Sequence, residues 1–330
     1  MLDEIYPRLF LEILPEDIKK DSPEYTSLSK LLDSNESTRA SYGKLLSTVY
    51  RQDVNSNIGL QFGKYLGTQA ICDCSLLVAT SIDVRAAFEF IENKYHMHGA
   101  SYCPFTLLKN GVFSLALTFP FKCHTSDNQK RFCAESVFSY MVNALTYMTQ
   151  QNFKPLQVCF DFPKPKYINE YKLMFGDNIK FDAPLNLIEF DESYLSKTLS
   201  TSNSTLHNMY LEKSEYEWRK ICREKNYFIQ VVITRMLRFH PASFQCESLA
   251  QMMNLSVRGL QKKLGQHDLT FSQISNLVRR ELAKIYLIQE KQTLNKTADK
   301  LGFQSLSGFT RFFKAEFNLS PTEYIRASIN

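Results

Sequence analysis

Apolar positions recur at helical spacing over most of this chain and at alternating spacing over a short central part. Leu9, Phe10, Ile13 and Leu14 cluster ahead of Pro15. Leu28, Leu31 and Leu32 form a second cluster, and Tyr42, Leu45, Leu46, Val49 and Tyr50 a third, so residues 1 to about 57 read as helices. The glycine-punctuated stretch Ile58-Gly59-Leu60-Gln61-Phe62-Gly63 leads into Tyr65 and Leu66. Ser81-Ile82-Asp83-Val84 then opens a helix with Ala86, Ala87, Phe90, Ile91 and Tyr95 on its buried side. Alternation takes over at residues 105–109 and 112–119. Asn110-Gly111 between them supplies the two positive-φ positions of a tight hairpin turn.

A helix from about residue 131 to 150 follows, with Phe138, Met141, Val142, Leu145 and Met148 inward. Residues 156–162 alternate like a strand, 164–175 read as a helix, and 179–182 and 187–190 are short strands around Pro184. Together these predict an α+β domain, a small sheet with helices. Residues 196–208, rich in Ser, Thr and Asn, read as a linker or loop. The helix beyond, with Leu211, Trp218 and Ile221, bridges the domains or packs on a partner subunit. From there on the pattern is all helical, beginning with Ile229, Val232, Ile233, Met236 and Leu237 ahead of Pro241. The expected division is an α+β domain at 1–205, a linker helix at 206–226 and an all-α domain at 227–330.

The all-α domain carries one design twice. In residues 294–317, Ala298, Leu301 and Phe303 give a first helix its apolar face. Gly302 stands where the chain must turn, and Gln304 or Ser305 starts a second helix. Phe309, Phe312 and Phe313 face inward there, and Ser307, Thr310, Arg311 and Lys314 face outward. Ser320-Pro321 then begins another helix. In residues 247–266, Ala250 plays the part of Ala298, Leu255 that of Phe303, and Asn254 stands at the turn. Ser256 caps the second helix, Leu260 and Leu264 point inward, and Arg258, Gln261, Lys262 and Lys263 point outward. One helix-turn-helix pattern is weak evidence; two, joined by a long helix from about residue 270 to 289, are strong. Phe271, Ile274, Leu277, Val278, Leu282, Ile285 and Tyr286 mark the buried side of that joining helix. Twenty helical residues span about 30 Å, against about 34 Å for one turn of B-DNA.

Charge sharpens this reading. Residues 226–330 hold 14 Lys+Arg against 7 Asp+Glu, a net +7, which leaves −2 for the rest of a chain of net +5. A basic end on a near-neutral body suits a polyanionic partner. The first residues lack a basic n-region, and no apolar run reaches the roughly 18 residues of a membrane helix, so a cytoplasmic protein with reduced thiols is expected. Cys72-x-Cys74 and His96-x-His98 do not have structural zinc spacing, so no metal and no cofactor are expected. Without a Gly-rich phosphate loop or a compact Ser/His/Asp set, no catalytic residue stands out. The aromatics of the first domain fit a ligand pocket, but core packing is the favoured reading for any one of them.

SLAQMMNLSVRGLQKKL, VRRELAKIYL and KLGFQSLSGFTRFFKAEFNLSPTEYIR together resemble the DNA-binding domain of the AraC/XylS family of bacterial transcription regulators. The most specific positions are Gly302-Phe303, Phe309, Arg311, Phe313-Lys314, Ser320-Pro321 and Tyr324. Asn254 and Asn318 depart from the family's usual glycines, although asparagine reaches the same backbone region. More faintly, TSIDVRAAFEFIENKY and FKPLQVCFDFPKPKYINEYKLMFGDNIKFDAPLNLIEFDESYL resemble the family's arabinose-binding-like sensor region. The resemblance implies a regulator, expected to be an activator, that binds double-stranded DNA and engages RNA polymerase. It also implies a small-molecule effector, lipid-like or amino-acid-derived, and a homodimer. It marks Arg258, Gln261 and Lys262, then Leu306, Ser307, Thr310 and Arg311, as base readers. Ser256, Lys263 and Lys314 complete the DNA-binding set, with phosphate contact or plain exposure the preferred role for the two lysines. Two alternatives stand beside it. One is a ligand-independent DNA-binding adaptor controlled by its amount. The other is an enzyme with a DNA-binding tail, which lacks here the proline-cysteine-histidine context such enzymes need.

Overall fold

The computed structural model describes residues 2–14, 16–33, 44–46, 48–49, 57–67, 73–94, 102–119, 127–221, 228–239 and 244–329. Tyr42, Tyr50, Cys72, Tyr95, His96, His98 and Pro241 lie outside them. The chain forms two compact units, Met1–Trp218 and Arg219–Asn330, divided within the helix Ser204–Ile221.

The N-terminal unit is built on five strands: β1 (Cys103–Lys109), β2 (Val112–Thr118), β3 (Gln157–Cys159), β4 (Ile179–Lys180) and β5 (Asn186–Asp191). Their order across the sheet is β1-β2-β5-β3-β4, antiparallel except for the parallel β3–β4 edge. The β1–β2 turn has Asn110 at φ 52° and Gly111 at φ 77°, the geometry that an Asn-Gly pair accommodates. One face of the sheet presents Phe113, Leu115, Leu117, Val158, Ile188 and Phe190, all buried. Phe88 of the helix Val84–Lys94 packs there, 4.9 Å from Phe113 between ring centres, and Phe138 of the helix Asp127–Thr149 lies 5.7 Å from Phe160. A second apolar cluster joins Phe10, Leu14, Leu28, Leu32, Leu45, Leu46 and Val49 to Phe62 and Phe132.

Several expectations need correction. The helix expected over 164–175 is Ile168–Phe175, because Pro163 and Pro165 hold the residues before them out of the α region. The helix expected over 131–150 begins a turn earlier, at Asp127. Along Val84–Lys94 the most buried residues are Val84, Ala87 and Phe88, with Phe90 and Ile91 only packed beside them. The strand expected over 156–162 is the three residues of β3. The Ser/Thr/Asn-rich stretch read as a linker or loop is loop over residues 197–203, tied down by its own side chains and backbone. Thr198 bridges Asp83, the Ser200 hydroxyl donates to the Met148 carbonyl at 2.8 Å, and that of Thr201 donates to Ala79 at 2.5 Å. A helix then begins at Ser204.

The C-terminal unit is all helical: Phe228–Phe239, Cys246–Met252, Val257–Gly265, Phe271–Lys284, Leu294–Lys300, Leu306–Phe317 and Pro321–Ile329. The joining helix opens on a capping box between Thr270 and Gln273 and continues as a five-residue π segment, Ile285–Gln289. Ile274, Val278, Leu282, Ile285 and Tyr286 are buried as expected, whereas Phe271 and Leu277 are only half-buried. Among the described residues no helix is long and apolar enough to cross a membrane.

Candidate nucleic-acid interface

The two helix-turn-helix copies share one backbone device. In the first, Leu255 N–H donates to the Ala250 carbonyl at 2.9 Å and Asn254 N–H to Gln251 at 3.0 Å. In the second, Phe303 N–H donates to Ala298 at 2.9 Å and Gly302 N–H to Asp299 at 2.9 Å. Asn254 has φ 53° and Gly302 φ 71°, so the asparagine occupies the left-handed region that glycine usually fills. Asn318 does the same, φ 58°, at the end of Leu306–Phe317. The small Ala250 and Ala298 are buried under these turns.

Each second helix is capped by serine. Ser256 accepts from Gly259 N–H at 3.1 Å, and Ser305 from Gly308 N–H at 3.2 Å. Aligning the caps pairs the buried Leu260 with Phe309 and Leu264 with Phe313. It also pairs Arg258 with Ser307, Gln261 with Thr310 and Lys262 with Arg311. Ser256, Arg258, Gln261, Lys262, Lys263, Leu306, Ser307, Arg311 and Lys314 are exposed, while Thr310 is half-buried. The two helices are chemically unequal. In the first, three long cations and a carboxamide stand outward, against two cations, Arg311 and Lys314, in the second. In the second, Thr310 donates its hydroxyl to the Leu306 carbonyl at 2.9 Å and Ser307 shares a hydrogen bond with the Ser305 cap at 3.1 Å. Lys263, which the caps pair with Phe312, leans over the Phe228 ring with Nζ 5.1 Å from its centre.

The sequence reading missed the charged side chains that support these helices. Glu281 is buried on the joining helix, with its carboxylate 2.9 Å from Arg280 and 2.6 Å from Lys284. Burial works against that charge, but Lys284 and Arg280 outweigh it and hold the carboxyl below the usual range. Arg280 also reaches Glu316 of Leu306–Phe317 at 4.0 Å, and Lys300 pairs with Glu290 at 2.8 Å. A signal was present: Glu281 stands seven residues after Ile274 and three after Val278, on the apolar stripe itself.

Of the described cysteines, Cys133 and Cys159 have thiols that burial raises, to about 12 and about 11. Neither is a reactive thiolate at neutral pH. Among the described residues no group of three or more His, Cys, Asp or Glu could hold a metal ion.

Paired capped helices behind matched turns, in the basic part of the chain, define a double helix-turn-helix protein carrying a separate α+β unit. Comparison with known proteins agrees. Residues 28–199, more than half the chain, match the family described as the arabinose-binding domain of AraC transcription regulator, N-terminal. Residues 249–327 match a helix-turn-helix domain. The chain belongs to the AraC-type family: it is a DNA-binding transcription regulator and not an enzyme, with an N-terminal domain of the family's ligand-binding type. The ornithine utilization regulator of Pseudomonas aeruginosa is 23% identical over 271 residues, covering 82% of this chain and 78% of that protein. The crystal structure of the transcriptional regulator CdpR from Pseudomonas aeruginosa aligns over 95% of this chain and 99% of that one, at 15% identity and a TM-score of 0.43.

Proposed function

We propose that this chain is a cytoplasmic transcription activator that reads two successive major grooves of one duplex with the helices Val257–Gly265 and Leu306–Phe317. The observation that carries this reading is the pair of turns with matching hydrogen bonds on one joining helix. That helix has 14 α-helical residues followed by five in the π segment, roughly 27 Å of rod at helical rise. Such a length supports reading along one face of the DNA. On this reading the N-terminal domain, taken as 1–205 and followed by a linker helix at 206–226, binds a small-molecule effector. An amino-acid-derived or lipid-like compound is the class tested first, since the relative above is named for ornithine utilization. Effector binding shifts the population that occupies the promoter and engages RNA polymerase.

Arg258 and Gln261 have the reach and donor pattern for bidentate contacts to guanine and adenine. With Lys262 they are the readers of the first helix. Leu306, Ser307, Thr310 and Arg311 are those of the second, where Leu306 meets a thymine methyl. Ser256, Lys263 and Lys314 contact phosphate. Because the hydroxyls of the second helix already bond within it, the first contributes more discrimination. On a duplex selected from a random pool, Arg258→Ala and Gln261→Ala each cost about 1–3 kcal/mol at one base pair and relax the preference there. Lys314→Ala weakens all sequences alike and lowers the salt slope by about one. Uniform weakening by the first two variants would make them phosphate contacts and overturn the assignment.

The regulator acts as a homodimer. On the helix Ser204–Ile221, Ser214 is buried and the His207 ring lies 3.2 Å from the Leu77 carbonyl, while Leu206, Met209 and Tyr216 form an exposed stripe on the other side. A second copy of that stripe is a fitting partner, because an antiparallel copy would cover Leu206, Met209 and Tyr216 with the same apolar residues. Sedimentation equilibrium of the doubly substituted Met209→Glu, Tyr216→Glu chain gives a dimer weaker by about tenfold or more. Unchanged association would remove this surface from the proposal.

A further inference from the structure

One cationic side chain on the joining helix touches the entry to the first helix-turn-helix copy and the turn of the second. Arg279 donates from Nε to the Leu301 carbonyl at 2.9 Å, at the end of Leu294–Lys300 and beside the turn of the second copy. Its guanidinium carbon lies 4.6 Å from the centre of the Phe244 ring and 4.9 Å from that of Phe303. Phe244 stands two residues ahead of Cys246–Met252, the first helix of the first copy, and Phe303 directly follows Gly302. A Cβ on Gly302 would lie 3.6 Å from Phe244 and 3.8 Å from Arg279 Nη2. The entry to the first copy, the rod and the turn of the second therefore meet at one guanidinium.

The chemistry requires arginine. A planar, delocalised cation stacks against two aromatic faces and still directs an N–H in its own plane at a carbonyl, which a lysine ammonium does not reproduce. Its neighbour Arg280 is neutralised by Glu281 and Glu316, while among the described residues Arg279 forms no ion pair. Among the described residues its half-buried charge meets the two rings and the carbonyl.

We propose that Arg279 is the positioning residue that locks the two reading helices at one spacing, so that the protein selects DNA by the distance between half-sites as well as by their bases. This rests on the reading that both helices engage one duplex. The joining rod links the two copies, and a guanidinium set between the Phe244 and Phe303 rings removes the hinge freedom that would let each helix find its half-site independently. Rigid linkage makes the second contact nearly free when spacing matches and costly when it does not.

The full-length chain is tested on a duplex selected from a random pool and on derivatives with one to five base pairs inserted between the half-sites, five being about half a helical turn. The unsubstituted chain loses roughly 100-fold in affinity across the series. Arg279→Met loses roughly tenfold at the original spacing, yet its loss on insertion shrinks to about threefold, and binding to a lone first half-site is unchanged. Arg279→Lys falls between the two. Retention of the full insertion penalty by Arg279→Met overturns the proposal. Should that variant fail to bind even the half-site, Phe244→Leu decides: it removes one stacking face and leaves the Leu301 bond. Loss of spacing discrimination there supports the proposal, and its retention overturns it. If the unsubstituted chain selects no DNA with two half-sites, it is the two-groove reading that fails.

Discussion

Gly63→Ala destabilises the N-terminal unit by about 3 kcal/mol, whereas Gly111→Ala, at a more strained backbone position, costs it only about 1 kcal/mol. The contrast follows from what a methyl group meets. On the helix Ile58–Leu66, a Cβ at Gly63 would lie 2.1 Å from the Ser136 carbonyl oxygen and 2.8 Å from Tyr140 N. Both are backbone atoms of the helix Asp127–Thr149, and no rotamer change moves them. Gly67, one turn on, meets Asn143 Cβ at 2.7 Å, and the Ser139 hydroxyl donates to the Leu60 carbonyl at 2.7 Å. Gly59, Gly63 and Gly67 share one helix face at four-residue spacing, so the two helices approach more closely than side chains allow. A methyl group must spread them, and Phe62 and Phe132, stacked 5.5 Å apart across that contact, separate with them. At Gly111 the φ is 77° and nothing lies within 4 Å, so the only cost is that of an L-residue in the left-handed region. Urea denaturation of the full chain, following the N-terminal transition, reads both values. Equal effects would mean that the close approach is not what the glycine serves.

The DNA-binding half was the more legible part of this sequence because its determinants are local. A serine cap, a left-handed turn residue and an inward leucine or phenylalanine all act within about ten residues. Asn254 and Asn318 could be assigned to turns despite not being glycine, and both have positive φ. The sensor half depends on contacts that no local pattern carries. Thr201 and Ala79 are 122 residues apart, and Ser200 and Met148 are 52 apart; a stretch whose hydroxyls bond at such range has the composition of a linker. Gly63 illustrates the same limit, since a punctuated apolar run shows where glycines are but not which carbonyl they face. Buried ions were missed in both units for one reason. Glu135 and Glu281 were not singled out: each has a cation within one turn on its own helix, but their burial comes from the elements packed over them.

Glu135→Ala removes about 3 kcal/mol from the N-terminal unit, as much as any single change expected here. Glu135 is 0% exposed in the middle of the long helix. Its carboxylate accepts from Arg131 Nε at 2.9 Å, from the Tyr167 hydroxyl at 3.1 Å and from the Tyr171 hydroxyl. Arg131 also donates to Tyr167 and lies 5.3 Å from the ring centres of both Phe162 and Tyr167. Truncation strips the counter-charge from a guanidinium whose side chain is only 17% exposed and the acceptor from two buried phenols; desolvated groups without their partners cost more than the pair was worth. The Arg131 charge still has some water, which sets the figure at the low end of the range for a broken buried pair. The same cluster fixes an alkaline limit. Burial first, and the Glu135 charge second, raise the Tyr167 and Tyr171 phenols above their ordinary value of 10.0. A raised folded-state pKa contributes stability that is whole below pH 10 and is lost as pH rises beyond it, when the unfolded chain ionises and the folded one resists. The thermal midpoint of the N-terminal transition therefore holds between about pH 7 and pH 9 and falls above about pH 10. Glu135→Ala starts lower and falls with a similar initial slope, because its phenols stay buried, but its decline levels off at a lower pH, where the folded phenols ionise without a carboxylate beside them. A midpoint in the unsubstituted chain that does not fall above about pH 10 would remove these phenols from the alkaline limit.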